Sequence, residues 1–317
     1  MSQSVSDLKY SQSKKKRITF FLSCRLLVKL KLHEAKKNKD GVLLTAALIA
    51  DIHTDGNTYR DRNNEIRKGL TGISCYQKTD AIIMAGDITN SAHITEYTHL
   101  KHYLKKYNRV KRIIPQMGNH DARGTSIDPN FEEACAFFGD FCSYCGIETV
   151  KDKNYYRTEV NGYPIIVLGT EGLLQDQAKI TKEQIDWLDA QLTDAKEPGK
   201  PIFVICHQAA YGRNGAGTVF SDNGHIGENA KLLDEVLLSH ADPASPILFV
   251  SGHMHNFGQY TYECPQPGIS HLNLPSFLYD NGYGFLAEVY GDKMVLTGVD
   301  FINGKTIDGY TFEIPLK

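Results

Sequence analysis

Five short segments of the chain offer carboxylate oxygens, an amide oxygen and imidazole nitrogens: Asp51-Ile52-His53, Gly86-Asp87, Gly118-Asn119-His120-Asp121, His207 and Gly252-His253-Met254-His255. Those are the donors that bind zinc, manganese or iron. Singly they say little. Gly-Asp commonly marks a turn, and a lone histidine is most often hydrogen-bonded in a core or on a surface. Gly118-Asn119-His120-Asp121 is richer, joining a neutral oxygen, a titratable ring and a carboxylate able to orient it. In Gly252-His253-Met254-His255 the imidazoles stand at i and i+2, a spacing that can address two adjacent cations, and Gly252 permits close backbone approach. Taken together and in this order, the segments predict one dinuclear metal centre.

Strands must position them. Val42–Ala50 (VLLTAALIA) runs into Asp51, Ala81–Ala85 (AIIMA) into Gly86-Asp87, and Arg112–Met117 (RIIPQM) into Gly118. Pro201–Cys206 (PIFVIC) runs into His207, and Pro246–Val250 (PILFV) into Ser251-Gly252-His253. Short continuous apolar runs suit strands buried on both faces of a layered sheet, and ligands lie beyond the carboxyl ends of such strands. Pro115 weakens the third run, because proline donates no ladder bond. Helices are expected over Arg60–Gln77, Thr95–Tyr107, Thr181–Lys196 and Glu228–His240, the third opened by a Thr181-x-x-Gln184 capping-box pattern. Alternating strand and helix signals give an α/β fold. Asn161-Gly162, between Tyr155–Val160 and Tyr163–Leu168, predicts a hairpin. Further on, Tyr260–Glu263, Ile269–Leu274, Phe285–Tyr290, Met294–Val299 and Tyr310–Ile314 alternate with turn residues. They are expected to form a second, mostly antiparallel sheet packed on the first.

At 317 residues the chain reads as one large domain over 42–317 with an extension over 1–41. The extension carries Lys14-Lys15-Lys16-Arg17 and then a seven-residue apolar run, Ile18–Cys24. That run is far too short to span a membrane and lacks a signal-peptide cleavage site. Leu26–Leu32 alternates and, across a turn at Asn38–Gly41, is expected as a hairpin strand against Val42–Ala50. That reading is preferred to an interfacial segment touching a membrane. A net charge of −2 gives no pull toward nucleic acid or acidic lipid. Seven cysteines, an odd number in a long chain, show no disulfide framework and favour a reducing, cytoplasmic setting. Cys142-Ser143-Tyr144-Cys145 has no second pair and is read as ordinary helix-packing cysteines rather than a metal or redox site.

Asp-x-His, Gly-Asp, Gly-Asn-His-Asp, His and Gly-His-x-His resemble the motif set of the calcineurin-like metallophosphoesterases over about residues 42 to 300, with no core member missing. The resemblance implies a two-sheet α/β sandwich flanked by helices, with two metal ions (Mn, Fe, Zn or Ni) at the sheet edge. One would be held by Asp51, His53, Asp87 and His255, the other by Asp87, Asn119, His207 and His253, with Asp87 bridging. His120 would stand beside the substrate, oriented by Asp121. Purple acid phosphatases, a related branch, carry a metal-binding tyrosine three residues after the bridging aspartate. Asn90 stands there, which argues against a tyrosinate–iron(III) site.

The expected chemistry is hydrolysis of a small phosphate ester. Two divalent ions ~3.5–4 Å apart clamp both sides of phosphoryl transfer and acidify a bridging water into a hydroxide nucleophile. His120 would protonate the leaving oxygen. Arg123, Tyr211 and Arg213 are candidate substrate contacts, as are Asn57, Tyr59 and Arg60 after the first motif and Asn214 after His207. A phosphodiesterase is favoured over a phosphomonoesterase. Gly86-Asp87-Ile88-Thr89-Asn90 lacks the longer signature of protein serine/threonine phosphatases. A nuclease would show a basic groove or added DNA-binding segments. The other class of function is a non-catalytic metal-binding scaffold on the same fold, although such relatives usually lose the catalytic histidine or some ligands.

Overall fold

The computed structural model describes residues 40–56, 60–123, 130–215, 226–255, 258–278 and 282–316. Residues 1–39, including the strand expected at Leu26–Leu32, lie outside them.

Strand β1 (Leu44–Ile49) is followed by helix α1 (Arg60–Tyr76), β2 (Ala81–Met84), α2 (Ile94–Tyr107), β3 (Arg112–Pro115), the single turn α3 (Asn119–Ala122) and α4 (Phe131–Tyr144). Then come β4 (Tyr156–Val160), β5 (Tyr163–Val167), the short β6 (Leu173–Leu174) and β7 (Gln177–Ala178), α5 (Lys182–Ala195), β8 (Ile202–Ile205), α6 (Ala230–Ser239) and β9 (Ile247–Ser251). The chain closes with β10 (Tyr262–Gln266), β11 (Ile269–Asn273), β12 (Tyr283–Val289), β13 (Lys293–Asp300) and β14 (Lys305–Pro315).

Two six-stranded sheets result, ordered β14-β13-β12-β1-β2-β3 and β10-β11-β9-β8-β5-β4. The five apolar runs become β1, β2, β3, β8 and β9, and each pairs in parallel with another of the five. Pro115 is tolerated because β3 is an edge strand, with β2 as its one partner among the described residues. The Asn161-Gly162 hairpin forms, both residues at positive φ (52° and 76°), as a two-residue turn between paired Val160 and Tyr163 requires.

The C-terminal strands do not make a sheet of their own. β12 to β14 extend the first sheet antiparallel from β1, whereas β11 pairs parallel to β9 and carries β10 into the second sheet. Both edges of β1 are therefore taken, by β12 and β2.

Period-two alternation sorts the second sheet's faces. Ile165, Val167, Phe203, Ile205, Leu248 and Val250 face the first sheet in the central core. Their neighbours Ile166, Ile202, Val204 and Phe249 face outward onto Ile185, Leu188 and Leu192 of α5 and Leu233 and Leu237 of α6. Thr181 caps α5, accepting the Gln184 amide, but the box is half made: the Gln184 side chain instead grips both backbone groups of Gly169. Helix α4 buries Cys142 while Cys145 is half-buried; both are free thiols pushed up by burial. Among the described residues no helix is long and apolar enough to cross a membrane.

Candidate metal centre

Each donor sits just beyond a strand end, where the chain turns abruptly. Asp51 (φ 54°), His53 (44°), Asp87 (47°), His253 (70°) and His255 (51°) all occupy the left-handed region. Aspartate and histidine tolerate that region better than branched residues, yet each costs on the order of 1 kcal/mol there. Hydrogen bonds between the loops hold the conformation. His53 and Thr54 donate to the carbonyls of Asp87 and Ile88, both at 2.9 Å, so the β1 and β2 loops continue the ladder of their strands. Across the sandwich, His207 Nδ1 lies 2.8 Å from the Ala85 carbonyl, and the His253 amide donates to Asp51 Oδ2 at 3.1 Å. The site thus straddles the seam between the two sheets.

Close approach makes two glycines obligatory. A Cβ on Gly252 would lie 2.6 Å from Ala50 Cβ and 2.7 Å from Asp51 Oδ2. One on Gly118 would collide with the amide and carboxylate of Asp87.

The donors fall into two groups that share one carboxylate. Asp51, His53, Asp87 and His255 can bring one atom each within 4.8 Å of one another, as can Asp87, His207 and His253. His255 Nε2 stands 2.9 Å from Asp51 Oδ1, and His207 Nε2 3.1 Å from Asp87 Oδ2. His53 and His255 turn their Nε2 atoms toward each other at 3.2 Å. Asn119 adds a neutral oxygen: its Nδ2 donates to Asp176 at 3.4 Å, and its Oδ1 is buried with no hydrogen-bond partner. A buried acceptor left open, one residue before the amide that His120 gives to Asp87, is what an amide ligand to a cation needs. The nitrogen and oxygen donors therefore fit two divalent ions.

Electrostatics agree. Burial alone would push both carboxyls up. Instead His207 and His255 hold Asp51 below the usual carboxylate range, and His207 holds Asp87 well below it. Burial works the other way on His207, yet Asp87 and Asp51 push it up to about 9. For His53 burial wins, lowering it to about 4. Ionised buried carboxylates demand positive charge within reach, and this cluster is built around that demand.

His120 lies at the rim, its ring edge-on to His53 with centroids 4.6 Å apart. Its backbone amide donates to Asp87 Oδ1 at 2.8 Å, and its Nδ1 sits 2.7 Å from the Asn90 carbonyl. Asp121 does not orient it. That buried carboxylate accepts from the amides of Gly118, Ile88 and Thr89 and from the Thr89 hydroxyl, stapling the β2 and β3 loops together. Burial and the neighbouring Asp87 charge push its carboxyl up to about 6. A carboxylate one residue along the turn from His120 faces the loop backbone rather than the ring.

Of the candidate substrate contacts, Arg123 is at the site, with Nη2 2.5 Å from His120 Nε2 and Nη1 2.9 Å from Asp176. Arg213 is not. It forms a two-pronged ion pair with Asp234 of α6, at 3.0 and 2.9 Å, and so fastens its loop. Tyr211 packs on the outer core of the second sheet, with Lys231 Nζ 5.3 Å from its ring centre. Asn214 bonds the Tyr260 carbonyl, and Arg60 opens α1. Asn57 and Tyr59 lie outside the described residues. Two residues at the site had no motif to announce them. Asn90 acts through its main chain, and Asp176 reaches the site from the β6–β7 turn.

The sequence profile of the calcineurin-like phosphoesterases matches residues 44–272. The glycerophosphodiester phosphodiesterase GpdQ of Enterobacter lignolyticus is 24% identical over 165 residues, 51% of this chain and 54% of that protein. A probable cyclic nucleotide phosphodiesterase of Rhodococcus erythropolis is 25% identical over 166 residues, half of each chain. The chain thus spans about half the length of these curated relatives. Among solved structures, purple acid phosphatase PPD1 from yellow lupin (Lupinus luteus) superposes on 86% of this chain and 53% of its own, with a TM-score of 0.62 and 12% identity. A structure of PhoD covers 86% and 70%, at a TM-score of 0.53 and 9% identity. At these identities the likeness is one of fold. The profile runs from β1 into β11 and spans every donor described above, and on that match the chain belongs to the calcineurin-like phosphoesterase family.

Proposed function

We propose that this protein is a metal-dependent phosphoesterase with a dinuclear centre, acting on small phosphate esters and on diesters in preference to monoesters. The observation that carries the reading is the pair of donor groups meeting at Asp87. One carboxylate with two oxygens can serve two cations, and phosphoryl transfer needs charge on both its attacking and leaving sides. The names of the two relatives, both phosphodiesterases, support the diester preference.

Asp51, His53, Asp87 and His255 would hold one cation, and Asp87, Asn119, His207 and His253 the other. Bound there, divalent cations would supply Lewis-acid charge and acidify an attacking water. The remaining work falls to His120 and Arg123. With its Nδ1–H held by the Asn90 carbonyl, His120 directs Nε2 outward, where the imidazolium form of the ring would give its Nε2 proton to the leaving oxygen and return to the neutral ring. Arg123 is within reach of the same place and would neutralise phosphate charge through its planar donors.

The test is hydrolysis of bis(p-nitrophenyl) phosphate beside p-nitrophenyl phosphate by protein stripped of metal and resupplied with Mn, Zn, Fe or Ni. Metal-dependent diester turnover supports the proposal, and monoester-only turnover moves it to a phosphatase. Two bound metals with neither substrate turned over would favour the non-catalytic scaffold.

A further inference from the structure

We propose that Asp176, at the tip of the β6–β7 hairpin, is a positioning residue that sets the orientation of the Asn119 amide and stations Arg123 against His120. This rests on the metal-dependent reading above and concerns residues outside the ligand set.

The hairpin is short and firmly rooted. Its two strands pair Leu173 with Ala178 and Leu174 with Gln177, leaving Gln175 and Asp176 as the turn, with Gln175 at φ 56°. At its base, the Glu171 carboxylate accepts from the Thr181 amide at 3.1 Å, from Gln184 Nε2 at 2.9 Å and from Lys153 at 3.1 Å. Thr170 joins both arms, its hydroxyl donating to the Gly172 carbonyl at 2.8 Å and accepting the Lys179 amide at 3.0 Å. A fixed base makes the tip a fixed point.

From that point Asp176 reaches three residues. Its carbonyl accepts from Gln208, the residue after His207, at 3.1 Å. Its carboxylate accepts from Asn119 Nδ2 at 3.4 Å and from Arg123 Nη1 at 2.9 Å. The Asn119 contact has a directional consequence. The two ends of an amide differ only in that one donates and the other accepts. With a carboxylate engaging the nitrogen, the oxygen is the buried end left without a partner among the described residues. Without it, a flipped amide would present a donor where a bound cation would need an acceptor.

The Arg123 contact bears on His120. Because the Asn90 carbonyl can only accept, His120 Nδ1 carries a proton, and Nε2, unprotonated in the resting ring, takes the Arg123 hydrogen; Nε2 can bind the proton it would deliver only once Arg123 is drawn off. The ring atom meant for the leaving oxygen is therefore capped by Arg123, which Asp176 holds from its other side. An incoming phosphate must draw Arg123 off, so the strength of the Asp176 ion pair enters the cost of substrate binding.

The experiment uses the full chain with Asp176→Ala and Asp176→Asn, titrated with Mn²⁺ by calorimetry and assayed on bis(p-nitrophenyl) phosphate. Alanine removes both side-chain contacts, and the weaker Mn²⁺ affinity should fall about 10–100-fold, the range for groups that orient metal ligands. Asparagine keeps an oxygen for Asn119 but loses the charge that holds Arg123. It should bind Mn²⁺ close to wild type while KM falls, because the substrate no longer competes with a full ion pair. An alanine variant with wild-type Mn²⁺ affinity, or an asparagine variant with KM unmoved, overturns the proposal. If the wild type itself takes up no Mn²⁺, the functional reading fails and this inference with it. If it binds two and turns over diester while the variants match it, this inference alone fails.

Discussion

The Nδ1 of His120 lies 2.7 Å from the carbonyl of Asn90, and that bond, made by main chain from the β2 loop, fixes the ring. A backbone acceptor has no charge to give. It selects a tautomer and holds the ring's orientation.

Replacing His120 by alanine or asparagine should lower kcat by about 10²–10⁴, the usual contribution of a general acid–base group. Metal content should stay near wild type, because His120 meets Asp87 through its backbone amide, which both variants retain. Turnover unchanged in a fully metallated variant would remove His120 from the chemistry.

Asp121→Asn separates a structural carboxylate from a catalytic one. Its Oδ2 accepts two backbone amides, from Gly118 and Ile88, each at 3.0 Å, and its Oδ1 accepts the Thr89 amide and hydroxyl. An amide nitrogen in either position meets donors with a donor. The variant should lose about 2–4 kcal/mol of stability, as buried unsatisfied groups do. Urea unfolding measures it. A fully stable variant with depressed kcat would restore the orienting role once expected of Asp121.

Asp87→Ala removes the one residue common to both donor groups. Elemental analysis should find both metals lost, and Mn²⁺ should no longer raise the melting temperature, since only a ligand that binds the native state stabilises it. Retention of two ions would refute the bridging role. His255→Ala, which touches one group only, is the control expected to weaken one site.

The strands and donors were legible because both are local. An apolar run ending in aspartate or histidine declares itself within a few residues, and Asp51, Asp87, His207, His253 and His255 all stand where their runs stop. Helix α4 shows in the sequence too, since its buried Ala134, Phe138, Phe141 and Cys142 follow helical spacing, although only its end at Cys142–Cys145 was expected to be helical. What sequence could not carry was pairing at a distance. Whether β12 adds to β1 or founds a new sheet depends on which edge is open, and that is decided by the whole topology. The same holds for Arg213, whose partner Asp234 lies on α6. Asn90 acts through a carbonyl that every residue type has, so its identity held no signal.

His271 supplies a test of the fold that leaves the metal site aside. It sits on β11 opposite Phe249, fully buried, with neither ring nitrogen hydrogen-bonded among the described residues and the ring centroids 5.3 Å apart. Burial, with a smaller push from Arg213, lowers it to about 3 from an ordinary 6.5. The folded protein therefore keeps His271 neutral where the unfolded chain protonates it. Between those two values the unfolded state binds more protons, so stability falls as pH falls from 6.5 toward 3, by up to about 1.4 kcal/mol per pH unit from this group. Carboxylates also contribute in acid, so the informative quantity is a difference. His271→Leu has no proton to take up, and it removes two buried polar atoms that lack partners. It should match or exceed wild-type stability at neutral pH, and its advantage should widen steadily in urea melts taken from about pH 7.5 to 4.5. A constant difference across that range would mean that His271 titrates alike in both states, and that β11 admits a charge its surroundings are built to refuse.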